Sequence, residues 1–255
     1  MPEAPPRQAG PRITPIQVVG LVVLGVLLLN QMGLLNLGDP GSALQLLNSE
    51  LPRFVALVLA ITVHEFSHGL VATLFGDGLP RRVGRLTLNP LKHLDPLGTI
   101  MILVGPIGWG RPMPINPGEM RNPNLGWAMS SIAGPVSNIV AATAAAAVYG
   151  IVRADIDVVV RTYFLSFIFI NILLAVFNLL PVPPLDGFGF LYGLAPRPLK
   201  IALLPLQRYG MFILLAFIFV PPLQRFLSTF MAVGRSAILP LLEGACQCNL
   251  TASLF

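Results

Sequence analysis

The sequence has little charge. Of its 255 residues, 11% are Asp, Glu, Lys or Arg and 55% are hydrophobic, whereas an ordinary soluble domain carries about a quarter charged residues. Such a chain lacks the groups to cover a water-facing surface. Its mean hydropathy of +0.77 comes in apolar runs too long and too many for a buried core, so a polytopic membrane protein is predicted. Cysteine is nearly absent as well. Cys246 and Cys248 are the whole complement, too close in sequence to staple the body of a fold, which excludes a disulfide framework. Runs of Lys and Arg interleaved with aromatics are also missing. The net charge of +5 is scattered over connecting segments. That argues against nucleic acid as a partner and reads instead as membrane topology, because Lys and Arg gather in cytoplasmic loops.

The apolar runs divide the chain. A Pro-rich, polar start (1–16) reads as a disordered cytoplasmic stub, and the run after it has no small-residue cleavage site, so it reads as a retained span. That first span covers about Val18 to Leu37, near the ~20 residues a bilayer core requires. A second runs from about Arg53 to Phe75, a third from about Leu125 to Val152, and a fourth from about Val160 to Leu180. The third is rich in Ala, Ser and Gly, which let helices approach closely. "PRPLKIALLPLQRYG" reads as an amphipathic surface segment, followed by two shorter or tilted helices. The expectation is therefore an all-α polytopic fold of about six membrane helices. It forms a single membrane-embedded domain over 17–243, with a flexible tail over 244–255.

Residues 76–124 are dense in Pro and Gly and carry Arg81, Arg82, Arg85, Lys92, Arg111 and Arg121. Within them "GTIMILVGPIGW" is apolar but too short to span, which suits a re-entrant, β-hairpin-like loop. Six basic residues here, against Arg53, Arg153 and Arg161 in the opposite loops, put this segment and the N-terminus in the cytoplasm.

One apolar span holds the chain's most polar cluster, "ITVHEFSHGL" (61–70). His64 and His68 stand at i and i+4, one above the other on a helix, so two imidazoles can converge on one metal. Zinc suits such ligands. Glu65 is turned about 100° around the axis, within reach of a water as general base without being a ligand. Three polar residues satisfied by neighbours is the plain alternative, but ionisable residues at membrane depth cost several kcal/mol and mark function. A catalytic zinc takes a third protein ligand. His93, Asp95 and Glu119 are candidates from the loop, and Asp186 comes from "NLLPVPPLDG", where prolines forbid a regular helix and Gly187 lets the chain turn. Asp186 is the best choice beside a His-Glu-x-x-His helix. In "SIAGPVSN", Gly134 and Pro135 predict a kink, and Asn138 either bonds a neighbouring helix or holds substrate backbone or an oxyanion.

Taken in order, "HEFSH", "AGPVSN" and "NLLPVPPLDG", with "NPLKHLDPLGTI" and "GWGRPMPINP" between the first two, resemble the site-2 proteases, in a small prokaryotic form. The resemblance covers about residues 53–190 and implies a three-helix catalytic core there, with no PDZ or CBS domain. It implies one zinc per chain held by His64, His68 and Asp186, Glu65 as catalytic base, and Asn138 holding substrate. It also implies a multi-pass protein of the cell membrane that cuts transmembrane segments of other membrane proteins. A strand edge around Gly108 and Gly110 is expected to pair with the unwound substrate by β-augmentation. The rival is a metal transporter or channel with His64, His68 and Asp186 as a transit site. It leaves Glu65 unexplained and lacks the internal repeat such folds show. Oligomeric state is not legible in the sequence.

Overall fold

The computed structural model describes residues 51–95, 98 and 110–254. Among them every regular element is helical. The expected first span, about Val18 to Leu37, lies outside the described residues. The helices are α1 (Leu51–Leu74), α2 (Leu79–Arg82), α3 (Pro123–Val152), α4 (Val158–Asn178), α5 (Asp186–Leu194), α6 (Arg197–Arg208), α7 (Gly210–Phe219), α8 (Pro221–Cys246) and α9 (Thr251–Leu254). The chain divides into two compact units. Of the described residues, Leu94, Asp95, Gly98, Gly110 and Arg111 belong to the smaller and all others to the larger. Inside the smaller unit Leu94 and Gly110 form an isolated antiparallel bridge, and Asp95 accepts a hydrogen bond from Gly98 N–H at 2.9 Å.

Local chemistry sets the helix ends. Asn122 caps α3 by accepting from Leu125 N–H at 3.2 Å, with Pro123 at the first helical position, where its missing N–H costs nothing. Asp157 caps α4 the same way, accepting from Val160 N–H at 2.9 Å. The fourth apolar run stops at Asn178 because Pro181, Pro183 and Pro184 cannot extend a helix. Gly187 then allows the close return of the chain: a Cβ there would collide with the backbone of Leu179 and Leu180.

Among the described residues four helices are long and apolar enough to cross a membrane, namely α1, α3, α4 and α8. Taken as one broken span, α6 and α7, bent by 66°, make a fifth. Their outward faces are apolar, with Ile151, Val158, Phe212 and Phe219 all at least 70% exposed, as expected where lipid is the solvent. The inward contacts use small residues. Ala60 and Ala72 of α1, and Ala128, Ala142 and Ala146 of α3, are fully buried, and so let helix backbones approach. A cluster of Ala142, Ala146, Tyr149, Ile168, Ile172, Val176, Leu239 and Leu242 joins α3, α4 and α8. The segment expected to be a flexible tail holds the end of α8, a Cys246–Cys248 disulfide, and Leu250, which is fully buried in that cluster. Burial of Leu242, Cys246 and Leu250 in that cluster docks it.

Candidate metal centre

Three polar side chains of α1 are satisfied inside the helix. Thr62, Ser67 and Thr73 hydroxyls each donate to the carbonyl four residues back at 2.7 Å, the usual way such groups survive in an apolar span. His64, Glu65 and His68 find their partners elsewhere. His64 Nδ1 donates to Asn138 Oδ1 of α3 at 2.5 Å, and His68 Nδ1 donates to the Ser130 carbonyl of α3 at 2.6 Å. Pro135 has no N–H, so it leaves the carbonyl of Ser131, next to that of Ser130, without its ladder donor. Gly134 makes the close approach possible: a Cβ there would sit 2.6 Å from Cε1 of both histidines.

With each Nδ1 facing an oxygen that can only accept, a neutral ring carries its lone pair on Nε2. Both Nε2 atoms point at Asp186 Oδ2, at 3.0 and 3.4 Å, yet that oxygen is buried and makes no hydrogen bond. Two lone pairs and a carboxylate oxygen repel unless a cation lies among them. Ligand atoms about 2.0–2.1 Å from a tetrahedral zinc stand about 3.3 Å apart, a separation that the two observed distances bracket. The ligating atoms of His64, His68 and Asp186 all lie within 4.8 Å of one another. The donor set therefore fits zinc.

Glu65, half-buried, accepts from the Met113 N–H through Oε2 at 2.6 Å. The Met113 side chain packs on Gly69 one turn further along α1. The adjoining peptide carbonyl, that of Pro112, accepts from Arg85 Nη2 at 3.4 Å. The non-helical segment around Met113 is fastened by Asp77, which is fully buried and accepts from Leu79 N–H at 2.8 Å and Asn116 N–H at 2.7 Å.

The other loop candidates have separate employment. Glu119 is forked by Arg82 at 2.6 and 2.9 Å, and that guanidinium holds its carboxyl down at about 2. His93 is buried and donates through Nε2 to the Thr87 carbonyl at 2.7 Å; burial pushes its imidazole below the ordinary range. Asn138 is fully buried, and its amide donates to the Ala60 carbonyl at 3.3 Å and to Asn171 Oδ1 at 2.7 Å. Both amide hydrogens of Asn138 are thus taken within the chain. Pro135 is buried beside Gly134, Gly110 lies at the bridge to Leu94, and Gly108 is outside the described residues. Sequence reading missed Asn171, although a lone polar residue in "FIFINILLAV" carries the same signal that marked Asn138. Ser130 and Met113 act through backbone groups and leave no mark in residue type.

Comparison with known proteins agrees with this chemistry. The chain is 39% identical over 201 residues to "Putative zinc metalloprotease YwhC" of Bacillus subtilis, covering 76% of this chain and 91% of that one. It is 31% identical over 182 residues to "Putative zinc metalloprotease Rip2" of Mycolicibacterium smegmatis, 66% of each chain. It is 28% identical over 210 residues to the Rip2 of Mycobacterium tuberculosis, 76% of this chain and 80% of that one. No protein-family model and no solved structure matches it. The extent of the first match, over nine-tenths of a relative at 39% identity, makes the chain a member of the family of these zinc metalloproteases, the site-2 protease family.

Proposed function

We propose that the chain is an intramembrane zinc metalloprotease of the cell membrane, hydrolysing peptide bonds within or near transmembrane segments of other membrane proteins. The observation that carries this reading is the meeting of His64 Nε2, His68 Nε2 and Asp186 Oδ2 beside Glu65, with both histidines and Glu65 on α1, a helix apolar enough to cross a bilayer. Those three residues would hold one zinc per chain. Zinc bound there supplies a Lewis acid that polarises a carbonyl and eases ionisation of water.

The rest of the chemistry falls to the chain's own side chains. Glu65 takes the proton of the attacking water and returns it to the leaving amine. The Met113 N–H, bonded to Oε2, holds that carboxylate with its other oxygen free for the proton. Ser130 and Asn138 fix the two imidazole planes. The substrate helix unwinds and pairs in extended form with backbone of the segment around Gly108 and Gly110. The N-terminus and the basic 76–124 segment face the cytoplasm.

The test compares wild type with Glu65→Gln, each purified in detergent, for zinc content and for cleavage of a single-span membrane protein. The reading requires zinc in both and cleavage by wild type alone. Cleavage by Glu65→Gln overturns the assignment of the base, and a metal-free wild type overturns the metal site.

A further inference from the structure

Two fully buried asparagines lie on helices apolar enough to cross a membrane. Asn138 of α3 and Asn171 of α4 each have no solvent exposure. Amides left unpaired there are costly, so a pair of them spanning two helices calls for a use. We propose that Asn171 is a positioning residue for the metal centre. It fixes which way round the Asn138 amide sits, and through Asn138 it fixes the tautomer of His64.

An asparagine amide has two faces of nearly equal shape, one accepting and one donating. If Asn138 turned its NH2 toward His64, Nδ1 would have to accept. The ring proton would then move to Nε2, the atom that faces Asp186 Oδ2 at 3.0 Å, and no lone pair would remain there for a metal. What prevents the turn is an acceptor on the far side of the amide. Asn171 Oδ1 accepts from Asn138 Nδ2 at 2.7 Å, closer than the Ala60 carbonyl at 3.3 Å. Asn171 could itself turn, but its own Nδ2 donates to the Phe167 carbonyl at 2.8 Å. A main-chain carbonyl never donates, so the ambiguity ends there. The direction of the bonds from α4 to the His64 ring is thus set by main-chain oxygens, that of Phe167 behind Asn171 and, over a longer distance, that of Ala60 behind Asn138. His68 needs no such chain, because its Nδ1 faces a main-chain carbonyl directly.

This inference rests on reading His64, His68 and Asp186 as zinc ligands, and the experiment separates the two. Zinc affinity of the full-length protein in detergent is measured by competition with a chromophoric chelator. The series is wild type, His64→Ala, Asn138→Leu, Asn171→Leu, Asn171→Ala, Asn171→Asp and the Asn138→Leu/Asn171→Leu pair. Loss of an outer partner of a metal-bound histidine weakens binding by roughly 10- to 100-fold, and that is the loss expected for Asn171→Leu. Asn171→Ala removes the same acceptor without added bulk and gives the result if the leucine variant is not recovered. Asn171→Asp, protonated and so isosteric with asparagine, restores wild-type affinity. In the pair, Asn171→Leu has no further effect once Asn138 is gone. Wild-type affinity in either Asn171 truncation refutes the proposal, and so does a pair whose losses simply multiply, which is what general loosening of the bundle gives. If His64→Ala retains zinc, it is the metal-site reading that has failed.

Discussion

Replacing Gly134 by alanine adds one methyl group at the most crowded point of the site. The new Cβ would lie 2.6 Å from Cε1 of both His64 and His68, about 1 Å inside ordinary carbon–carbon contact. Neither ring can yield freely, since each is tied through Nδ1 to α3 at 2.5 and 2.6 Å. One methyl forced into a packed interior costs about 1–3 kcal/mol, which corresponds to roughly 5- to 150-fold in an equilibrium constant. Here the strain falls on the two ligands themselves, so the loss should appear in zinc affinity. Chelator competition on purified Gly134→Ala measures it directly, with thermal melting of the metal-free protein as the companion reading. Gly244→Ala is the control: nothing lies within 4 Å of its added Cβ, and in helix α8 alanine is preferred over glycine by roughly 0.5–1 kcal/mol. Wild-type zinc affinity in Gly134→Ala would refute the packing of this residue between the two rings.

Further expectations concern the segment over the site. Met113→Pro removes the N–H that holds Glu65, a charge-assisted bond of about 1.5–3 kcal/mol, and should lower kcat by roughly 10- to 150-fold with zinc content unchanged; Met113→Ala keeps the N–H and should retain most activity. Equal losses in both variants would assign the effect to the side chain. Asp77→Ala leaves the Leu79 and Asn116 amides without their acceptor and should destabilise the protein by about 3 kcal/mol, seen as a lower melting temperature; a change confined to surface substitutions' usual ±0.5 kcal/mol would contradict the fastening role. Glu119, with its carboxyl held down at about 2 by Arg82, is held below its ordinary 4.5, so the Arg82–Glu119 contact helps the fold above about pH 4.5 and is lost as pH falls toward 2. Protease nicking near residues 117–121 should rise over that window, and Arg82→Ala should show the same nicking at neutral pH. A pH-independent nicking rate would speak against it.

The site was more legible in the sequence than the fold around it. His64 and His68 announce themselves by spacing and by the cost of burying them, and Asp186 by the three prolines that unwind the backbone ahead of it. The long helices follow from apolar runs, with ends within a few residues of expectation. What residue types did not reveal was the use of main-chain groups: the Ser130 carbonyl on His68, the Met113 N–H on Glu65, and the Phe167 carbonyl at the end of the asparagine chain. Any residue supplies those atoms, so their positions depend on how the helices cross. Asn138 reads from sequence either as a helix-bridging residue or as a substrate contact, and only the packing shows that its amide hydrogens are engaged within the chain. At the break between α6 and α7, Gly210 lies close against Pro183, which a Cβ there would meet.

The central claim is cleavage inside an apolar segment by a metal-dependent site, and one measurement tests it most directly. A single-span membrane protein is incubated with the purified full-length chain, and the product masses are read by mass spectrometry with and without a zinc chelator. The account predicts a cut within or at the edge of the transmembrane segment that vanishes on chelation, returns with added zinc, and is absent with Glu65→Gln. Products cut only in water-exposed loops, or a cut inside the segment that persists after chelation, would contradict it.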